Sequence, residues 1–465
     1  MNDSGKACGA TFKEGSAVLT GKEYFAGYSY TCSYSVPQYE NVNEYALIVT
    51  FDGMNAQVVQ VMARLYEEGI APPTIVIGIS GGTYLKTQTE GYDLGLRQLS
   101  YDVFDRGFAD LIVEEIIPEM TSRFGLKISD NPDWHMAAGG SSGGICAWSC
   151  AWFRNDYFHR VYMSSPTFSA MTKGYEAPVL MRLCETKTVR GFMDWSENEP
   201  NDYFGSSYLA GLVAKSALEY AGYDFEYRYN EGEGHCSRFR DEVGLTEVMR
   251  SVWRDHTAPV KAKRNSSYIA KLTPDSSAWA EVAEEMPVPL CAYSAGGIFT
   301  AEGGSIFFTP DNGARREVAS GFADISALAV SSDMWRLYIA ERDGSIVYSM
   351  AITEAGDLKD KMQLGSLYTD TFIKKRGVSA MCVDSEDRIY LVTDMGIQVL
   401  KGYGIVCAII DSPFDKRAEG IAFGGEGMRY LYVKCDGKVY RRLWNVAGRP
   451  DEKTVTKPAS RDYYY

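Results

Sequence analysis

The stretch Ala137-Ala138-Gly139-Gly140-Ser141-Ser142-Gly143-Gly144 constrains this chain more than any other. It reads G-x-S-x-G across Gly140, Ser142 and Gly144, with an apolar run on each side. Trp134 to Ala138 predicts a short buried strand, and Gly143 to Phe153 predicts an apolar helix. Strand, glycine turn and helix together are the setting of a nucleophile elbow. There a serine is held on strained backbone, and glycines let neighbouring backbone approach closely. A Gly/Ser-rich loop without those flanks would carry no chemistry. The reading places Ser142 exposed at the turn.

The rhythm around the elbow is strand then helix. Tyr45 to Phe51, Thr74 to Ile79, Arg160 to Met163, Val189 to Met193 and Asp224 to Tyr229 read as strands. Gln57 to Glu68, Phe104 to Phe124, a short piece near Pro178 to Cys184, Ser207 to Ala221 and Arg238 to Asp255 read as helices. Tyr24 to Val36 suggests antiparallel strands feeding a sheet edge. Such alternation implies an α/β fold with a mainly parallel sheet covered on both faces, with ligands beyond the carboxyl ends of the strands.

After His256 the pattern changes. Residues 257–289 read as a linker with Pro259, Pro274, Pro287 and Pro289 and a short helical patch near Ala278 to Glu285. Residues 290–445 are all-β and repetitive: Ala327 to Met350, Ala380 to Leu400 and Gly420 to Arg442 share one plan. Leu337-Tyr338-Ile339, Ile389-Tyr390-Leu391 and Leu431-Tyr432-Val433 occupy the same place in it. A repeat of roughly 40 to 50 residues built of short strands reads as propeller blades. Gly297 to Val318 would supply another, giving three or four, a partial propeller. Residues 446–465 form a tail, and residues 1–256 form the first domain.

Composition narrows the partners. A net charge of −14 opposes binding to phosphate backbones, so no nucleic acid is expected. No run approaches the roughly 20 apolar residues of a membrane helix. The start of the chain lacks a charged segment followed by an apolar one, which points to a cytoplasmic protein. Ten cysteines without C-x-x-C spacing and four histidines give no zinc pattern. A homo-oligomer stays open.

A serine hydroxyl needs a base within reach and an acid to orient that base, in the chain order Ser, acid, His. His135 lies on the elbow strand, His159 precedes a strand and His256 ends the last helix, all structural positions. His235 lies in the Gly-rich loop Asn230 to Ser237 between the last strand and the last helix, where the base belongs. The loop after Val189 to Met193 supplies the acid and offers Asp194, Glu197, Glu199 and Asp202; spacing does not choose among them. The oxyanion donors are expected at Gly143 and in the loop Asp52-Gly53-Met54, through the N–H of Gly53 or Met54. An ordinary Asp-Gly turn is the alternative reading of that loop.

Phe51-Asp52-Gly53, the Arg97 to Asp102 segment followed by Glu114 to Pro118, Gly139 to Gly144, Ala221 to Asp224 and Gly234-His235 together resemble one family. It is the enterochelin-esterase-like branch of the α/β-hydrolases, also called the esterase D family. The resemblance spans most of residues 12 to 256. It implies hydrolysis of a small-molecule ester, of the siderophore, hydroxycinnamate or sugar kind, with no cofactor. It also implies Glu199 as the acid, standing where the family has aspartate, with Asp202, Glu197 and Asp194 as alternatives. The last 150 or so residues resemble the gluconolactonase type of propeller, whose members bind a divalent metal through acidic and amide side chains. Here the matching turns read Ser326-Ala327-Leu328 and Ser379-Ala380-Met381. Neutral hydroxyls hold a hard dication poorly, so no metal is expected. Two other functions compete: a lactonase using the propeller, and a non-catalytic carbohydrate-binding protein whose 32 Tyr and 8 Trp stack on sugar faces.

Overall fold

Two six-residue apolar runs, Ala46–Phe51 and Thr74–Ile79, are buried at every position in the computed structural model of the chain. Strands with no solvent-facing side belong at the centre of a parallel sheet covered by helices. The structure describes residues 9–84, 94–169, 171–262, 265–275, 277–286, 291–294, 296–369, 377–413, 418–450 and 454–456. Part of the Gly81 to Ser100 loop, Pro287 and Pro289 of the expected linker and most of the tail lie outside them. The chain divides into two units, Met1–Arg182 with Thr186–Arg264, and Leu183–Glu185 with Asn265–Tyr465.

In the first unit the strands are β1 (Thr11–Thr20), β2 (Tyr28–Gln38), β3 (Ala46–Phe51), β4 (Thr74–Ile79), β5 (Thr83–Tyr84), β6 (His135–Gly140), β7 (Arg160–Ser164), β8 (Arg190–Asn198), β9 (Asn201–Asp202), β10 (Gly205–Ser206) and β11 (Asp224–Gly234). The main sheet runs β1-β2-β4-β3-β6-β7-β8-β11, with β5 on β2. From β4 to β11 every neighbour is parallel, while β1 and β2 extend the sheet antiparallel. The sheet is therefore mainly parallel, and its switch in strand order, between β3 and β6, sets the elbow at the carboxyl end of a central strand.

Helices cover this sheet. Val58, Val61, Met62 and Leu65 of helix Ala56–Glu67 join Leu245, Val248, Met249 and Val252 of helix Glu242–Val252 and Ile48 of β3 in one cluster. The helix Ser142–Phe153 is buried from Ser142 to Trp152, as its nearly uniform apolar character demands. Its Trp148 meets Tyr223 and Phe225 edge-on, with ring centroids 5.5 and 5.9 Å apart.

The single helix expected over Phe104 to Phe124 is broken differently. Helix Leu94–Tyr101 comes first; a second begins at Gly107, widens into a π-helical stretch over Leu111–Ile116 and ends as Ile117–Phe124. Asp105 sets the later start, because its carboxylate accepts the Gly107 N–H at 2.9 Å.

Among its described residues the second unit holds four antiparallel four-stranded sheets in a propeller-like arrangement. The blades are Cys291–Ser294 to Arg316–Ala319, Ile325–Val330 to Leu358–Ser366, Ala380–Val383 to Val406–Ile410, and Gly420–Gly424 to Lys438–Leu443 joined by Ala280–Val282. The first strands of successive blades lie side by side from Cys291–Ser294 to Gly420–Gly424. Ala280–Val282 corrects the helical patch expected there: it is a strand, in register with Val439 to Arg441. Pairing with the chain's last strand, with Glu281 on Lys438 and Glu284 on Arg441 at 3.0 Å each, overrides local helix propensity.

Candidate active site

At the carboxyl end of β6 the chain turns sharply into the helix Ser142–Phe153. The residue that carries the turn is Ser141, at φ 56° and ψ −125°. A non-glycine residue in this region costs about 1–3 kcal/mol and persists only where its surroundings fix it. Here they do. The Ser141 N–H donates to the Ser164 carbonyl at 2.9 Å, and its carbonyl accepts from Gly144 and Thr167 at 2.9 and 3.2 Å. Gly139 allows the turn to close, since a Cβ there would lie 2.2 Å from the Gly143 carbonyl oxygen.

The expectation that Ser142 stands exposed at the turn is corrected by this geometry. Ser142 is 2% exposed and already helical. Its hydroxyl interacts with Asp102, a fully buried carboxyl. Burial pushes Asp102 up to about 6, against the opposing pull of the Ser142 hydroxyl and the Arg97 charge. Ser141 is half-buried. The sequence held the signal, because the same octet also reads G-x-S-x-G across Gly139, Ser141 and Gly143.

His235 and Glu199 come together. The imidazole Nδ1 bonds Glu199 Oε2, the Glu199 side chain has no exposed surface, and that of His235 is 28% exposed. Glu199 Oε1 accepts two further bonds, from the Ser165 hydroxyl at 2.5 Å and the Ser196 N–H at 2.9 Å. Burial alone would raise Glu199, but these bonds and the imidazole outweigh it and hold the carboxyl below its ordinary value. Burial would lower His235; the Cys236 and Glu199 side chains outweigh it and raise the imidazole above its ordinary value. The loop carrying His235 lies on the elbow, since a Cβ at Gly140 would meet the Cys236 Sγ at 2.9 Å.

The other acids of the loop are engaged elsewhere. Asp194 is buried and accepts from Tyr162, Ser164 and Asn230 at 2.7, 3.0 and 3.1 Å. Glu197 accepts the Gly232 N–H at 2.7 Å, and Asp202 accepts that of Phe204 at 2.9 Å.

Among the expected oxyanion donors, Gly143 sits in the first turn of the elbow helix, where N–H groups have no intrahelical partner. Its Cβ position lies 3.1 Å from Phe51 Cβ, so the loop after β3 abuts the elbow. In that loop Asp52 donates to the Tyr101 hydroxyl at 3.2 Å and Gly53 to the Ile79 carbonyl at 2.9 Å. Gly53 is thereby corrected as a donor, its N–H being committed to the backbone. The Met54 N–H finds no acceptor among the described residues. Arg97 holds Asp52 with two bonds of 2.7 and 2.6 Å.

The remaining histidines sit apart from Glu199. His135 is buried between the Tyr157 and Ser129 carbonyls, and His159 bonds Asp133 at 2.7 Å. In the second unit Ser326 and Ser379 give their hydroxyls to the Ala340 and Ala418 carbonyls. Among the described residues no three His, Cys, Asp or Glu side chains gather as a metal site, and no helix is long and apolar enough to cross a membrane.

No family model and no curated protein matches the chain. Solved structures do. A ferulic acid esterase aligns at 16% identity and a TM-score of 0.40, over 54% of this chain and 100% of its own. The enterobactin esterase of Shigella flexneri aligns at 15% identity and a TM-score of 0.42, over 53% of this chain; the match spans 60% of that enzyme's length. A protein assigned as a gluconolactonase aligns at 18% identity and a TM-score of 0.27, over 38% of this chain and 58% of its own.

Proposed function

We propose that the chain is a serine-dependent carboxylic ester hydrolase whose nucleophile is Ser141, with His235 as base and Glu199 as the acid that orients it. The observation that carries this reading is a pairing. Ser141, whose strained backbone turns β6 into its helix, adjoins Gly140, and the loop that presents a carboxylate-bound imidazole packs on Gly140.

In this mechanism the Ser141 Oγ attacks the ester carbonyl carbon while His235 Nε2 takes its proton. The carbonyl oxygen becomes an oxyanion, held by the N–H of Ser142, the residue after the nucleophile, and by that of Met54 from the neighbouring loop. Each such donor contributes about 3–4 kcal/mol. The tetrahedral intermediate collapses as His235 returns the proton to the departing alkoxide, and the alcohol leaves. Water then adds to the acyl-Ser141 ester, with His235 again as base, and the carboxylic acid leaves. Glu199 keeps Nδ1 protonated and stabilises the imidazolium that forms twice per turnover. The substrate is a small-molecule ester. The siderophore, hydroxycinnamate and sugar classes follow from the family resemblance.

The test is hydrolysis of p-nitrophenyl acetate by Ser141→Ala and Ser142→Ala. Loss of the nucleophile lowers kcat on the order of 10⁶-fold, whereas Ser142→Ala keeps turnover within about tenfold. Because Glu199 and Cys236 raise His235, kcat/KM climbs with pH as the imidazole deprotonates, with its midpoint above that of an ordinary histidine. Equal, small effects of both substitutions would rule the mechanism out.

A further inference from the structure

Three chain segments meet at one side chain that none of the catalytic roles uses. Ser165 follows β7 and is 3% exposed. Its hydroxyl donates to Glu199 Oε1 at 2.5 Å and accepts the N–H of Cys236, the residue after His235, at 3.0 Å. One residue earlier, the Ser164 carbonyl holds the Ser141 N–H at 2.9 Å. We propose that Ser165 is a positioning residue, a hydroxyl that locks Glu199 and the His235 loop into one arrangement beside the elbow. The inference rests on reading His235 and Glu199 as base and acid.

A hydroxyl has one proton and two lone pairs, so Ser165 can serve both neighbours at once. Its only proton goes to the acid, and a lone pair takes the N–H beside the base. The backbone is built around this. Ser165 has φ 44°, left-handed for a residue with a side chain, and its N–H is fixed on the Asp194 carbonyl at 2.8 Å. Such a conformation is unfavourable for serine, and glycine would adopt it more readily. Without the hydroxyl, Glu199 Oε1 keeps only the Ser196 N–H, from its own chain three residues back. Nothing from β7 would then tie acid to base.

The side chains that act on the imidazole are those of Cys236 and Glu199. Asp194 lies in a separate network with Tyr162, Ser164 and Asn230, and Arg238 bonds Asn230 and Glu247. Ser165 itself does not titrate. Its influence on His235 therefore runs through the placement of Glu199. A residue this deeply buried makes no contact with substrate, so its loss acts on kcat and leaves KM alone. Misplacement of a catalytic pair by about 1 Å costs on the order of 10²-fold in rate.

The experiment uses the full chain as Ser165→Gly and Ser165→Ala. Glycine accepts the left-handed backbone, so the first variant removes the hydroxyl without adding strain. Two quantities are read: kcat and KM for p-nitrophenyl acetate, and the titration of the His235 imidazole by NMR, tractable with only four histidines. In both variants kcat falls about 10²-fold with KM unchanged, and the His235 midpoint moves to lower pH because Glu199 no longer lies on Nδ1. A Ser165→Gly protein with wild-type kcat and wild-type His235 titration would overturn the proposal, as would a midpoint that moves upward. If the wild type hydrolyses no ester, the esterase reading falls, and the NMR titration alone still decides whether Ser165 places Glu199 on His235.

Discussion

Glu199 in the first unit and Asp384 in the second are both carboxylates with no exposed side-chain surface, and each accepts several hydrogen bonds. Asp384 takes its bonds from Glu386, Arg388 and Tyr390, all within six residues on one blade. The Tyr390 hydroxyl in turn accepts from the buried indole of Trp444, so this branch of the network ends in packed rings. Glu199 draws two of its three partners, Ser165 and His235, from segments 34 and 36 residues away. Its network ends on an imidazole with an open side. A polar cluster drawn from one blade ties its strands together, whereas one that gathers distant loops and stops at a half-open titratable ring can move a proton.

Between these two carboxylates the larger expected effect on turnover comes from Glu199→Gln. Removing the charge while keeping the shape leaves His235 without its orienting partner and lowers kcat on the order of 10⁴-fold, with thermal unfolding little changed. Steady-state kinetics and calorimetry on one preparation check both halves. Asp384→Ala is its mirror image. It removes the buried carboxylate that Arg388 Nε and the Tyr390 hydroxyl bond and leaves Arg388 only the exposed Glu386, which costs about 3–5 kcal/mol, and ester turnover measured below the transition stays at the wild-type level. If Asp384→Ala silenced turnover in a folded protein, or Glu199→Gln unfolded it, the distinction between the two networks would fail.

Asp102 gives a smaller effect that depends on pH. Its carboxyl titrates at about 6 in the folded protein against 3.8 for an aspartate free in water. Between those values the unfolded chain has lost its proton and the folded one has kept it, so stability declines as pH rises through the window. The shift corresponds to roughly 3 kcal/mol. Asp102→Asn removes the titration. The stability difference between variant and wild type, from urea unfolding at pH 4 and pH 7.5, moves in the variant's favour as pH rises. A difference independent of pH would show that Asp102 does not titrate there.

Much of this was legible from residues alone, and what was not has physical causes. Thr74–Ile79 and Ser207–Ala221 appear as the sequence reads them, because fully apolar runs and a serine-capped helix depend little on context. The elbow was visible, but its register was not. Gly-Gly-Ser-Ser-Gly-Gly satisfies the motif twice, and which serine takes the left-handed turn depends on the Ser164 and Thr167 contacts from the next strand and loop. Glu199 stood among four acids until the turn after β8 brought it under His235. The strand Ala280–Val282 was hidden because its partner lies more than 150 residues away, at Lys438–Leu443.

The central claim is that Ser141 is the activated nucleophile. Treating the wild type, Ser141→Ala and Ser142→Ala with a fluorophosphonate, then recording intact masses and mapping the modified peptide, tests it most directly. The account predicts one adduct on wild type and on Ser142→Ala, carried by Ser141, and none on Ser141→Ala. An adduct on Ser142 that survives Ser141→Ala, or no adduct on any of the three, would contradict it.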